Sequence, residues 1–215
     1  MIDRVRLHNQ LQRTLDVTVA ALVLVLAAPL MLAVVVLVGW RLGRPVFFRQ
    51  RRPGLHGRSF TMVKFRTMRD SDPERGLVTD ADRMTRLGRL LRSTSVDELP
   101  TFWNILKGDM SLVGPRPLLV HYLDLYSPQQ ARRHLVRPGL TGLAQVRGRN
   151  ALSWETRFDL DVWYVEHRTL PLNMRILGET FLTVLRRENI TAEGEVTMPQ
   201  FTGSSSTSND WVTNG

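Results

Sequence analysis

Residues 17–38, VTVAALVLVLAAPLMLAVVVLV, run for 22 residues without a charge. As a straight α-helix the stretch would reach about 33 Å, enough for a hydrocarbon core of roughly 30 Å. It is longer than the apolar part of a signal peptide, and Gly39-Trp40-Arg41 follows it rather than a small-residue cleavage site. It therefore reads as a retained membrane anchor. Whether it crosses the bilayer turns on Pro29, near its middle. A proline there removes one backbone hydrogen bond and clashes with the preceding turn. A kinked spanning helix is one reading, because neighbouring groups can satisfy the freed backbone. The flanks favour another. Arg4, Arg6 and Arg13 precede the stretch, and Arg41, Arg44, Arg49, Arg51 and Arg52 follow it. A spanning helix concentrates its basic residues on one side. Two basic flanks suit a re-entrant hairpin, whose halves Val17–Ala28 and Leu30–Val38 reach roughly 18 and 14 Å before the chain returns to the face it entered.

The chain has 215 residues, enough for one domain beside the anchor. It carries 29 Lys+Arg against 20 Asp+Glu, a formal net charge of +9, which favours anionic partners. Only Lys64 and Lys107 are lysines; arginine supplies the rest of the positive charge. There is no cysteine, which excludes a disulfide framework, a thiolate metal site and a cysteine nucleophile. The charge also suits nucleic acid, but no nucleic-acid motif and no interleaved stacking aromatics accompany it, so nucleic acid is not expected as a partner.

Beyond the anchor, Val46–Gln50 and Ser59–Phe65 read as strands. The Pro53-Gly54 and His56-Gly57 breakers between them predict a β-hairpin. Helices are expected to dominate from Asp82. Leu87, Leu90 and Leu91 recur at helical spacing in RMTRLGRLLRS, with arginines opposite. Such a helix can face the core or lie in a membrane interface. Val120–Leu135, Trp154–Glu166 and Leu172–Arg187 read as further helices, and the stretch RPGLTGLAQVRGRN (137–150) between them as a surface loop. Residues 203–215, GSSSTSNDWVTNG, read as a disordered tail. The expected class is α+β, mostly α. Residues 1–40 form an N-terminal segment bearing the membrane helix, and residues 41–202 form a single cytoplasmic domain.

The chemistry gathers in residues 95–117, SVDELPTFWNILKGDMSLVGPRP. Asp97 and Glu98 stand side by side. A structural explanation is at hand: Ser95 and Glu98 fit an S-x-x-E capping box, with Asp97 near the positive end of a helix dipole. The surroundings add a second. Lys64, Arg66, Arg69, Arg92, Arg116, Arg137, Arg147 and Arg149 fall in segments rich in glycine and proline, where backbone can approach a ligand. Arg116 lies between two prolines, which stiffen its backbone, and a guanidinium fork matches phosphate oxygens in bidentate fashion. Two acids beside several phosphate-binding bases suit phosphoryl transfer, where a carboxylate can attack phosphorus or hold Mg²⁺ and the bases offset charge on the non-bridging oxygens. The chain has no phosphate-binding glycine loop, dinucleotide fingerprint or zinc-protease motif, and its five histidines lack metal-ligand spacing.

Four segments carry a resemblance: VKFRTM (63–68), STSVDELPTFWNILKGDMSLVGPRP (93–117), VRPGLTGLAQVRGRN (136–150) and FDLDVWYVEHRTLPLNMRILGETFLTVL (158–185). In this order they resemble the bacterial sugar transferases, the small monotopic phosphoglycosyl transferases that prime glycan assembly on polyprenyl phosphate. The likeness runs from about Asn9 to Gly203. The ending ENITAEGEVTMPQFTG is similar to the short, single-domain members rather than to those with additional transmembrane helices. The resemblance implies a re-entrant helix broken at Pro29, with the catalytic domain on the cytoplasmic face of the bacterial inner membrane. It also implies that Asp97 attacks the β-phosphate of a UDP-sugar and releases UMP. Polyprenyl phosphate then takes the phosphosugar from the carboxylate. Glu98 would assist the acceptor phosphate or the metal, with Mg²⁺ near Asp97 as cofactor. Lys64, Arg66, Arg116, Arg137 and Arg147 become candidates for phosphate contact, and Asp161 a further acidic site position. Arg147 departs from the pattern, standing where many members have a smaller polar residue. A membrane-anchored, non-catalytic scaffold for anions or lipids is the alternative, and a homodimer remains open.

Overall fold

The structure, a computed structural model, describes residues 2–148, 152–186 and 200–203. Arg149, Arg187 and the tail from Ser204 onward lie outside the described residues. Eight α-helices and four short strands are described: α1 (Ile2–Leu42), β1 (Phe47–Pro53), β2 (Ser59–Phe65), α2 (Asp80–Arg83), α3 (Arg86–Ser93), α4 (Thr101–Lys107), β3 (Ser111–Val113), α5 (Pro128–Ala131), β4 (Gly139–Thr141), α6 (Leu143–Arg147), α7 (Trp154–His167) and α8 (Leu170–Arg186). The mostly helical α+β class follows from this list.

The long helix α1 contains Pro29 in its interior, so the secondary structure is one element where two halves were expected. It is long and apolar enough to cross a membrane, and its middle is bare: Leu22, Val25, Leu26, Leu30 and Leu32 are all exposed. On either side of that middle, single positions are buried. Ala20 is fully buried in a core with Met62, Ile105, Met110 and Leu112. Val34 and Val38 are buried with Phe65 and Leu91 in a second core. Polar ties fix the first end. The backbone N–H of Leu112 donates to Asp16 at 2.9 Å, and Gln12 donates to Ser111 at 2.9 Å. α1 runs past residue 40 to Leu42 and shares its cores with the rest of the chain.

β1 and β2 form the expected antiparallel hairpin, in register from Phe47 opposite Phe65 to Pro53 opposite Ser59. β1 runs three residues past the expected end, because Pro53 closes the ladder at the hairpin's mouth, where its missing N–H is tolerated. The free edge of β2 is covered by α4. Asn104 donates to the carbonyl of Thr61 at 2.7 Å and accepts from the N–H of Val63 at 3.1 Å, and Thr101 donates to the carbonyl of Val63 at 3.0 Å. Two polar side chains one helical turn apart therefore take the place of a third strand.

Two expectations fail. The helix expected over 120–135 breaks into a 3-10 turn (Val120–Leu125), α5 and a second 3-10 turn (Arg132–Leu135). Ser127 starts α5 through a capping box with Gln130, with Pro128 in the first turn, so the chain must restart there. The supposed surface loop after Arg137 is largely buried: β4 pairs in parallel with β3, and α6 follows directly. This packing depends on glycine. A Cβ on Gly139 would lie 2.1 Å from the backbone N of Gly114. The pattern rule for strands misses β3 and β4 because each is only three residues long.

Candidate active site

Asp97 and Glu98 lie in a 3-10 turn, Val96–Glu98, just before α4. The expected capping box is absent. Ser95 adopts a left-handed conformation (φ 56°, ψ 15°) and makes no side-chain cap hydrogen bond. Glu98, the other half of the expected box, turns to a different partner: its carboxylate is bound by the Lys64 ammonium. Lys64 projects from β2, and the docking of α4 on the β2 edge brings the two together. The Arg116 guanidinium stands 3.6 Å from the same Glu98 oxygen, with its side chain 45% exposed.

Arg92 completes the cluster. α3 packs on the backbone of Thr67 so closely that a Cβ on Gly88 would lie 1.9 Å from the Thr67 carbonyl oxygen. Thr85 donates to that carbonyl at 3.1 Å, and Arg92 donates to the Thr67 hydroxyl at 3.1 Å. The guanidinium so placed lies within electrostatic reach of Asp97.

Asp97 itself is 7% exposed and, among the described residues, has no hydrogen-bond or ion-pair partner. Burial pushes its carboxyl up to about 6, and the neighbouring Glu98 adds to this, against the opposing pull of Lys64, Arg92 and Arg116. At neutral pH it is mostly ionised, yet more basic than an exposed aspartate and not occupied by a donor. A buried carboxylate with free lone pairs and a raised basicity beside three cations marks a candidate functional site.

The other candidate positions are placed differently. Arg66 is buried and committed to the protein: it donates to the carbonyls of Met68 (3.0 Å) and Arg44 (3.2 Å) and pairs with Asp70 at 2.8 Å. Arg137 donates to the Gly108 carbonyl at 2.9 Å, beyond the end of α4, and lines a small cleft with Gln12, Asp16 and Tyr164. Arg147 is exposed at the end of α6. Asp161 is 2% exposed on α7 and is paired with Arg133 at 2.6 Å. Lys64, Arg116 and the acid pair therefore converge, whereas Arg66, Arg137 and Asp161 are engaged with other parts of the chain.

Comparison with known proteins fits this cluster. The model of the bacterial sugar transferases matches residues 7–187. The chain belongs to the bacterial sugar transferase family. It is 51% identical to an uncharacterized sugar transferase, EpsL, of Bacillus subtilis over 195 residues, covering 90% of this chain and 96% of that protein. It is 42% identical over 190 residues to the UDP-glucose:undecaprenyl-phosphate glucose-1-phosphate transferase of Caulobacter vibrioides, covering 83% of this chain and 71% of the relative. It is 39% identical over 196 residues to the undecaprenyl-phosphate galactose phosphotransferase of Salmonella typhimurium, covering 83% of this chain but only 41% of that longer protein.

In the sequence of this sugar transferase Arg92 stands out only as one base among eight, and Arg133, Thr101 and Asn104 do not stand out at all. The last two still carry a usable signal, being polar residues one turn apart among the apolar Phe102, Trp103, Ile105 and Leu106. Arg133 carries none, because its importance comes from a partner 28 positions away.

Proposed function

We propose that the protein transfers a phosphosugar from a UDP-sugar to polyprenyl phosphate, the priming step of a bacterial surface glycan. The observation that carries this reading is Asp97: buried, raised in basicity, without a donor, and faced by Lys64, Arg92 and Arg116. A carboxylate oxygen of Asp97 attacks the β-phosphorus of the donor. The bond from that phosphorus to the bridging oxygen breaks, and UMP departs with the electron pair. Lys64, Arg92 and Arg116 offset the charge that gathers on the non-bridging oxygens. An oxygen of polyprenyl phosphate then attacks the aspartyl-phosphosugar, restoring the Asp97 carboxylate and giving polyprenyl-diphospho-sugar. Dividing the transfer lets one site serve a soluble donor and a lipid acceptor in turn.

Asp97 and Glu98 also fit Mg²⁺. That ion is held by one or two carboxylates together with substrate phosphates rather than by an all-protein cage. No larger acidic or histidine cluster occurs among the described residues. Asp97, next to Glu98, would hold the ion, which neutralises diphosphate charge when bound.

In this reading α1 dips into the cytoplasmic leaflet of the inner membrane and returns. The support is its packing: Ala20 and Val38 are buried at opposite ends of the bare apolar middle, in cores that both include residues of β2. Cysteines placed at Arg13 and Arg44 should both resist a membrane-impermeant thiol reagent in intact cells, and labelling of one alone would establish a spanning helix.

The chemistry is tested by incubating a panel of UDP-sugars, each labelled in the sugar, with purified protein. UMP should be released and label should become attached to the protein when polyprenyl phosphate is withheld. Adding the lipid should discharge it. Asp97→Asn should lack the adduct and lose turnover by orders of magnitude while remaining folded. An Asn variant that turns over normally would sink the mechanism.

A further inference from the structure

The Pro115-Arg116-Pro117 segment is held by every carbonyl it has. The N–H of Gly139 donates to the Pro115 carbonyl at 3.0 Å, Arg133 Nη2 donates to the Arg116 carbonyl at 2.8 Å, and Arg52 Nη1 reaches the Pro117 carbonyl at 3.4 Å. Both prolines are buried, and their rings fix φ, so the exposed Arg116 side chain is the one part of the segment left to move. Of the three carbonyl bonds, the middle one comes from a charged group buried to 2% exposure.

Arg133 is itself over-determined. Its Nε and Nη2 donate to Asp161 Oδ2 at 3.1 and 2.6 Å, and its Nη1 donates to the Tyr126 hydroxyl at 3.1 Å. The rings of Tyr126 and Phe158 lie 5.7 and 5.5 Å from its guanidinium carbon. A buried ion pair is a poor device for stability, since apolar side chains of similar volume serve as well or better. What apolar side chains cannot supply is a directed N–H at the Arg116 carbonyl.

We propose that Arg133, locked by Asp161 and Tyr126, is a positioning residue that sets the Arg116 backbone so that its guanidinium meets the phosphate beside Glu98. The proposal rests on the reading of Arg116 as a phosphate ligand. Asp161 then serves the site from the far side of the loop, through Arg133, rather than by touching substrate.

The test is a double-mutant cycle read as kcat/KM for UMP release, using the best donor of the UDP-sugar panel with undecaprenyl phosphate. Arg116→Lys alone tests the underlying reading and should lower kcat/KM about tenfold or more. Arg133→Lys keeps a positive charge opposite Asp161 but cannot bond Asp161, Tyr126 and the Arg116 carbonyl together, and it should produce a loss of similar size. Combining the two should add no more than about twofold to the Arg116→Lys loss, because Arg133 acts through Arg116. Losses that multiply would overturn the proposal and leave a general structural role. Normal kcat/KM in Arg133→Lys would overturn it as well. Normal turnover in Arg116→Lys would sink the phosphate reading, and the proposal with it. Should Arg133→Lys fail to fold, Tyr126→Phe removes only the hydroxyl that accepts from Nη1. It should give a smaller loss, about two- to threefold, that disappears in the Arg116→Lys background; persistence of that loss there would count against the proposal.

Discussion

Asp97 and Asp161 are both buried carboxylates in an arginine-rich protein, and the fold treats them in opposite ways. Asp161 is held by direct bonds, its Oδ2 taking two N–H groups of Arg133, with aromatic rings close around the pair. Asp97 is surrounded by three cations, yet none donates to it, and its near neighbour Glu98 takes the contact with Lys64 instead. A carboxylate paired in this way is fixed in place and is suited to holding structure. An unpaired one keeps its lone pairs free at a cost in stability. The difference arises from backbone placement. Asp161 sits mid-helix on α7, facing Arg133 across a packed interface, whereas Asp97 sits in a single 3-10 turn whose left-handed entry at Ser95 turns it away from a cap.

This contrast can be broken most severely at Asp161. Asp161→Ala leaves the Arg133 charge buried without its partner, so unfolding in denaturant should show a loss of about 3–5 kcal/mol. Retention of wild-type stability would mean that Arg133 finds another partner and the pair is not the anchor described.

A smaller effect, of opposite sign, is expected at Asp97. Its carboxyl is raised from an unfolded value near 3.8 to about 6, so between these pH values the folded state binds the extra proton. Asp97 therefore costs nothing below about pH 4, and the penalty grows as pH rises to about 6 and persists above it. Its full size is on the order of 3 kcal/mol. Asp97→Asn should match wild type in stability near pH 4 and exceed it above pH 6, in the same variant that is expected to lose turnover. A stability gain independent of pH would point to packing rather than to the buried charge.

The smallest effects separate helix caps from the Ser95 turn. Thr85 caps α3 by accepting from the N–H of Gly88 at 2.9 Å, so Thr85→Ala should cost about 1 kcal/mol. Ser95 has no such bond and a positive φ, so Ser95→Gly should stabilise by up to about 1 kcal/mol. A loss of stability in Ser95→Gly would show that its hydroxyl has a bonding role after all.

Much of this was legible in the chain itself. Local rules suffice where an element is decided by neighbours: the hairpin from its turn residues, the helices α7 and α8, the apolar helix from its length, and the acidic turn from two adjacent acids. Order and composition also fixed the family, because several long motifs in sequence are far more specific than any one of them. Local rules failed where distant segments decide. Three-residue strands β3 and β4 exist only because Gly114 and Gly139 let their backbones meet. The capping motif at Ser95 and Glu98 was overridden by a lysine on a strand 34 residues away.

The sequence by itself determined which groups are present: a charge-free stretch, an acid pair, a surplus of arginine and an arginine held between prolines. Only the tertiary structure decided how each is used. It placed Lys64, Arg92 and Arg116 around Asp97, committed Arg66 and Arg137 to backbone carbonyls, and turned Asp161 inward onto Arg133. The physical reason is that a guanidinium or carboxylate has the same chemistry at every position in a chain. Its role depends on which donors, acceptors and low-dielectric surroundings the fold brings within about 3 Å of it.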